Sequence, residues 1–140
     1  AIQAKGIATS QDPPAGDIWA HIFQFFEARL GVLEKAGVAR EKITLDPGMG
    51  FFLGNKLETS LNVLGGLHRL KAEFGLPVLV CVSRKSFLRA LANISIAESG
   101  PISLAAEMLA AAQGVEYIRT HDARQLAHAL LLRDRLGTNL

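Results

Sequence analysis

The sequence predicts an α/β fold built from parallel βα units. Three observations carry this. Short apolar runs alternate with amphipathic helical stretches, and a polar cluster closes each of three apolar runs. The clusters also recur at nearly equal intervals, 37 residues from Asp46 to Ser83 and 36 from Ser83 to Arg119. In such a rhythm the chemistry sits on loops at the carboxyl ends of parallel strands, in a doubly wound sheet or a (β/α)8 barrel. The clusters are Asp46-Pro47-Gly48-Met49-Gly50-Phe51, Ser83-Arg84-Lys85-Ser86-Phe87 and Arg119-Thr120-His121-Asp122. On consecutive loops they open on one mouth and form one site.

The elements follow in order. Residues 1–16 read as irregular, with turn chemistry from Gln11 to Gly16. Asp17 caps a helix that runs to Ala36 and stops at Gly37. Ile18, Ile22, Phe25, Phe26, Leu30 and Leu33 give it a buried stripe, in which Trp19 and the Phe25-Phe26 pair serve packing. Lys42 to Asp46 reads as a short strand ended by Pro47-Gly48. A loop to Leu57 leads into a second helix over 58–74, with Leu61, Leu64, Leu67 and Phe74 on one face and Gly75 as its stop. Pro77 opens a strand through Val82 that is apolar on both faces, as expected of a parallel strand covered by helices. A short helix follows Ser86, 93–101 reads as a loop, and Ser103 opens a helix ending at Gly114. Val115 to Arg119 is the third strand, and Asp122 caps a last helix over 123–135. The order is α-βα-βα-βα, and right-handed crossovers make the strands parallel and adjacent.

The bulk properties exclude several classes. At 140 residues the chain is one domain or part of one. A complete (β/α)8 barrel takes about 250 residues, so the barrel reading makes this chain its last part. It is 49% hydrophobic and 20% charged, enough for a core and unlike a disordered chain. A net charge of +2 gives no electrostatic case for nucleic acid. No apolar run approaches the ~20 residues that span a bilayer, so no membrane partner is expected. The single Cys81 lies inside an apolar strand, where a buried structural thiol and a cytoplasmic location are expected.

The clusters carry recognisable chemistry. Asp46 at a strand end can accept paired hydrogen bonds from a flat amino-heterocycle, and Gly48 and Gly50 let backbone approach a ligand closely. Phe51 and Phe52 can supply an aromatic wall. The alternative for Asp46 is a turn-capping carboxylate. Ser83-Arg84-Lys85-Ser86 sets two cations and two hydroxyls before a helix start, where anions bind readily; as solvated loop charges, Arg84 and Lys85 would mean nothing. Arg119 with His121 two residues on suits a diphosphate grip, against a structural hydrogen bond for His121. Asp122 caps a helix rather than binding metal. His21, His68 and His128 form no metal-ligand pattern.

In the order and spacing of these three motifs the chain resembles dihydropteroate synthase. Each motif alone is modest; the ordered set is specific, and the similarity runs from the helix at Asp17 to the last helix. The Asp-Pro-Gly-Met-Gly-Phe-Phe-Leu and Arg-Thr-His forms are most similar to the sulfonamide-insensitive branch. The resemblance implies a (β/α)8 barrel, dimeric and cytoplasmic, that joins p-aminobenzoate to 6-hydroxymethyl-7,8-dihydropterin diphosphate in folate biosynthesis. Asp46 would then hydrogen-bond the pterin, with Gly48 beside it, and Lys85 would fix the ring plane. Phe51 and Ser86 would line the p-aminobenzoate pocket. Arg119 and His121 would bind the diphosphate and stabilise its departure, with Arg84 in support. Arg119, His121 and Lys85 are thus the expected catalytic groups.

Members of that family are nearly twice this length. On this resemblance residues 1–140 are a partial pterin-binding barrel domain lacking its first strands. Mg2+ belongs to the complete enzyme, with its main protein ligand absent from this chain. Such a piece is expected to be inactive alone and to associate, with itself or with a complementary half-barrel. The competing reading is a non-catalytic pterin- or anion-binding half-barrel. A folate-binding domain of a corrinoid methyltransferase shares the barrel idea, but the Ser-Arg-Lys-Ser-Phe motif argues against it.

Overall fold

A computed structural model describes residues 16–54 and 56–137, the side chains of Phe51 and Phe52 excepted. The irregular start expected for residues 1–15 lies outside them. The helices are α1 (Ile18–Lys35), α2 (Leu57–Gly65), α3 (His68–Phe74), α4 (Ser86–Ala92), α5 (Gly100–Ala112) and α6 (Ala123–Leu136). Strand β1 (Leu79–Val80) precedes α4, β2 (Tyr117–Ile118) precedes α6, and short 3-10 turns occupy Arg40–Lys42 and Gly50–Leu53.

Two of the three expected strands form, and they are parallel and adjacent as expected. β1 pairs with β2 so that Leu79 lies opposite Tyr117 and Val80 opposite Ile118. The first expected strand is reduced to a single parallel bridge, Leu45 to Val78. Its start is curled instead into the Arg40–Lys42 turn, which Arg40 pins by pairing with Glu34 at 2.6 Å and donating to the Phe74 carbonyl at 2.9 Å. At the other end of the sheet Glu116 pairs with Lys71 and accepts the Val78 N–H at 2.9 Å. Burial pushes the Glu116 carboxyl up, but these two partners outweigh it and hold its pKa below 4.5.

Helix α1 starts where expected: the Asp17 carboxylate accepts the Trp19 N–H at 3.0 Å. Its buried stripe is Ile18, Trp19, Ile22, Phe26 and Leu30, whereas Leu33 is 37% exposed because the helix runs past the core there. The predicted helix over 58–74 is two helices. The chain breaks at Gly66-Leu67 to make room for Trp19: a Cβ on Gly66 would lie 2.6 Å from the indole. The same indole donates to Asn62 at 3.0 Å and carries the Arg69 guanidinium 4.7 Å above its ring. Gln113 at the end of α5 serves both sides of the break. Its Nε2 donates to the Leu64 carbonyl at 2.6 Å, and its Oε1 accepts the first N–H of α3 from His68 at 3.4 Å.

Strand β1 is not covered equally on both faces. Val78, Val80 and Val82 are 0–1% exposed against the helices, while Leu79 and Cys81 on the other face are half-buried. Helix α5 begins at Gly100, three residues earlier than its pattern suggested, since Pro101 suits a first helical turn. Its buried residues Ser103, Ala106 and Ala110 are small, which lets it approach the strands closely. No helix among the described residues is long and apolar enough to cross a membrane.

The Trp19–Gly66 contact generates a paired prediction. Gly66→Ala is expected to destabilise by about 1–3 kcal/mol, the usual cost of overpacking. Gly65→Ala, with nothing within 4 Å of the added carbon, is expected to range from neutral to about 1 kcal/mol stabilising. Urea denaturation of the two variants checks this; equal midpoints would remove Trp19 as the cause of the break.

Candidate functional site

The sheet brings the three polar clusters to one end. With Leu45 beside Val78 and Val80 beside Ile118, the next residues are Asp46, Cys81 and Arg119, on the face opposite the helix-covered valines. The Arg119 N–H donates to the Val80 carbonyl at 2.9 Å, which extends the pairing to the edge of the site. Its guanidinium is held above its ordinary pKa first by Cys81 beside it and further by Asp46. Cys81 is therefore not the buried core thiol expected from its apolar run; it is half-buried and faces Arg119. Alternation along the strand, not average hydropathy, decides its face.

Asp46 plays the turn role and keeps capacity for another. One carboxylate oxygen accepts the Gly48 N–H at 2.9 Å, while the exposed group retains acceptor positions on the other. The chain then turns through Gly48 and Gly50, both at positive φ (70° and 65°). Gly50 sits directly over the second cluster. A Cβ there would meet Phe87 at 3.6 Å and Lys85 and Ser86 at 3.9 Å. Gly50, Ser86 and Phe87 border a cavity of about 260 Å³ that extends to Lys56 and Ser60. Ser60 is 1% exposed, and its hydroxyl has no hydrogen-bond partner among the described residues. Phe51, expected in this region, lies outside the described side chains.

The second loop is bent at Arg84, whose φ of 58° is unusual for a residue with a side chain. The strain is of order 1 kcal/mol and is met by the Arg84 N–H donating to Ser103 Oγ at 2.9 Å. Ser103 Oγ in turn donates to the Ser99 carbonyl at 2.6 Å. The second and third loops meet where the His121 N–H donates to Ser83 Oγ at 3.3 Å. Asp122 caps α6 as expected, accepting the Gln125 N–H at 2.9 Å. Arg119 and His121 have different neighbours: Arg119 faces Cys81 and Asp46, and His121 borders a small cavity with Arg84. The chain bends at His121 and leaves the extended conformation on which a shared direction relied.

Beneath that junction lies Glu107 of α5, 2% exposed. Sequence reasoning missed it, although a readable signal was present. Glu107 is four residues from Ser103 and one from Ala106, so it shares the buried stripe of an otherwise small and apolar helix. Burial raises its pKa above 4.5. The Thr120 and Ser83 hydroxyls and His121 draw it down, and Asp122 pushes it up. Arg84 from the second loop and Gln125 from α6 also line the space it faces.

That shift has a testable sign. The unfolded carboxyl titrates at its ordinary value and the folded one higher, so above 4.5 the folded chain binds more protons. The associated stability is complete below the ordinary value and is lost as pH rises through the folded one. Relative to Glu107→Gln, the native chain is expected to lose stability as pH rises above the ordinary carboxyl value. Urea titrations of both proteins across that rise measure it, and a difference that stays constant or grows in favour of the native chain rejects it.

Comparison with known proteins is consistent with this geometry. Dihydropteroate synthase type-2 of Escherichia coli is 52% identical over 125 residues, covering 89% of this chain and 46% of that protein. The type-1 enzyme of Pseudomonas aeruginosa is 48% identical over 136 residues, covering 96% of this chain and 49% of that one. Among solved structures, dihydropteroate synthase from Stenotrophomonas maltophilia superposes with a TM-score of 0.87 at 28% identity, over 97% of this chain and 51% of its own. Yersinia pestis DHPS with a pterine-sulfa conjugate gives 0.84 at 32% identity, over 91% and 49%. The chain thus spans about half the length of the curated relatives it matches. The model of the family described as "Pterin binding enzyme" matches residues 2–121, and the chain belongs to that family.

Proposed function

We propose that this chain forms the carboxyl-terminal part of a dihydropteroate synthase site, one that condenses 6-hydroxymethyl-7,8-dihydropterin diphosphate with p-aminobenzoate. The observation that carries the reading is the meeting of the three loops at one end of a parallel sheet, with Asp46, Lys85 and Arg119 on consecutive strand ends. In this reading Asp46 accepts from the amino-heterocycle with the oxygen that Gly48 leaves open. Lys85, whose stem passes beside Gly50, lies along the ring. Ser86 and Phe51 border the p-aminobenzoate position, Ser86 from the wall of the 260 Å³ cavity. Arg119, His121 and Arg84 hold the diphosphate, and positive charge there stabilises the leaving group as its bond to the pterin methylene breaks. The aniline nitrogen then attacks that carbon. Gly48 keeps the backbone close to the ring.

Mg2+ is expected of the complete enzyme. Among the described residues no group of three or more His, Cys, Asp and Glu side chains could hold a metal ion, and Mg2+ commonly takes only one or two protein groups together with substrate phosphates. No step above is routed through it. The reading extends to a sulfonamide-insensitive enzyme on the strength of the motif forms alone, and to a cytoplasmic one because a single cysteine leaves no internal disulfide. Association, with a second copy or a complementary half, is supported by the edge of β2, unpaired on one side among the described residues, and by exposed Leu131, Leu132 and Leu136 on α6. Light scattering that shows one monomeric mass across concentrations would count against association.

The site reading is tested by calorimetry with separated halves of the substrate. Arg119→Ala is expected to weaken inorganic pyrophosphate about tenfold or more while leaving 6-hydroxymethylpterin unchanged. Asp46→Asn, which retains the turn acceptor, is expected to do the reverse. Loss of neither ligand in either variant overturns the assignment. Binding of both ligands without condensation would favour a non-catalytic binding half-barrel instead.

A further inference from the structure

We infer that Glu107 is a positioning residue: its buried carboxyl holds the Ser83 and Thr120 hydroxyls and so fixes the separation of the two loops that carry Arg84, Lys85, Arg119 and His121. Glu107 belongs to α5 and reaches the two loops from behind. It lies behind a cavity of only about 50 Å³, bordered by Ser83, Thr120 and His121. That space is too small for substrate, so the carboxyl acts on the loops and not on a ligand.

The hydrogen-bond inventory gives the reason. Ser83 Oγ accepts the His121 N–H at 3.3 Å, and Thr120 Oγ1 accepts the Asp122 N–H at 3.1 Å. Each hydroxyl therefore has one lone pair engaged and its own proton left to donate. The acceptor that faces both is Glu107, whose Oε1 is buried and has no hydrogen-bond partner among the described residues, so it is open to their protons. A carboxyl at 2% exposure is costly unless it does something that an apolar side chain cannot. With both hydroxyl protons turned toward it, the carboxyl would complete two short relays, from carboxyl to hydroxyl to backbone amide, that end on His121 and Asp122. Proton donation to Glu107 polarises each hydroxyl and strengthens its acceptance of the amide. The functional part of the inference rests on reading the mouth as a diphosphate site; the structural part does not.

Amide hydrogen exchange and pyrophosphate calorimetry on the native chain, Glu107→Ala, Glu107→Met, Glu107→Gln and Thr120→Val separate the two. In Glu107→Ala, exchange at the His121 and Asp122 amides is expected to accelerate about tenfold, one hydrogen bond's worth, and pyrophosphate affinity to fall by a similar factor. Amides of α1 should keep their native rates. Glu107→Gln, which can accept from one hydroxyl and donate to the other, should restore both readouts to within about threefold. Thr120→Val removes the Asp122 acceptor itself and sets the scale of full loss, while Glu107→Met, closer in volume, decides the matter if Glu107→Ala does not fold. Native-like exchange at both amides in Glu107→Ala or Glu107→Met overturns the positioning role. A native chain that binds no pyrophosphate overturns the functional reading instead, and the exchange rates still decide the role of Glu107.

Discussion

The site depends on the register of one very short strand. β1 is paired on both sides: the Leu79 N–H donates to the Leu45 carbonyl at 2.8 Å, and the Tyr117 and Arg119 N–H groups donate to the Val78 and Val80 carbonyls at 3.1 and 2.9 Å. These few bonds decide which residues face the helices and which face the site. A slip of one residue would turn Val78, Val80 and Val82 out of the core and bury Cys81 in their place. Register is therefore enforced by the burial of three valines, and the position of Arg119 beside Cys81 follows from it. A two-residue strand carries little hydrogen-bond energy of its own, so its geometry is set by what packs against it.

That packing is organised around Trp19. The indole joins α1 to α2 through Asn62, to the α2–α3 junction through Gly66 and to α3 through Arg69. Phe23 and Phe26 continue the contact edge-on to Phe74. Breaking the 58–74 helix at Gly66 exposes carbonyl and amide groups, and Gln113 satisfies one of each. Because Gln113 ends the helix that carries Glu107, the aromatic cluster and the loop junction are connected through α5. The link is one rigid element, and its two ends do different jobs.

Much of this was legible in the sequence, and the parts that were not share a cause. Asp17 and Asp122 announced helix starts because capping is local: donor and acceptor lie within three residues of each other. The three clusters announced strand ends because glycine, proline and charge interrupt apolar runs. Periodicity also gave the order of elements. The break at Gly66 was hidden because its cause, Trp19, is 47 residues away and the leucine spacing runs through it undisturbed. The first strand was overestimated because Arg40 finds partners in two other segments that the local pattern of Lys42–Asp46 does not encode. Cys81 was placed in the core by composition, although alternation with the valines pointed the other way. Glu107 was overlooked because helix-face arithmetic was applied to apolar residues only; an acid on the buried stripe deserved the same arithmetic.

The loops are held together by groups that carry no formal charge at the mouth. Gly50 rests on Lys85, Ser86 and Phe87; Ser83 accepts from His121; Ser103 holds the Arg84 amide. Among the described residues the side chains of Arg84, Lys85 and His121 make no ion pair. Had these cations been used to fasten one loop to another, each bond to a ligand would first have to break one within the protein. Fastening by backbone amides and hydroxyls leaves them available and already placed, as the proposed diphosphate site would require. The one buried ionisable group in the junction is a carboxyl set behind the loops. A buried cation there would repel the cluster it supports, whereas a carboxyl draws the hydroxyls inward and leaves the positive groups to face outward.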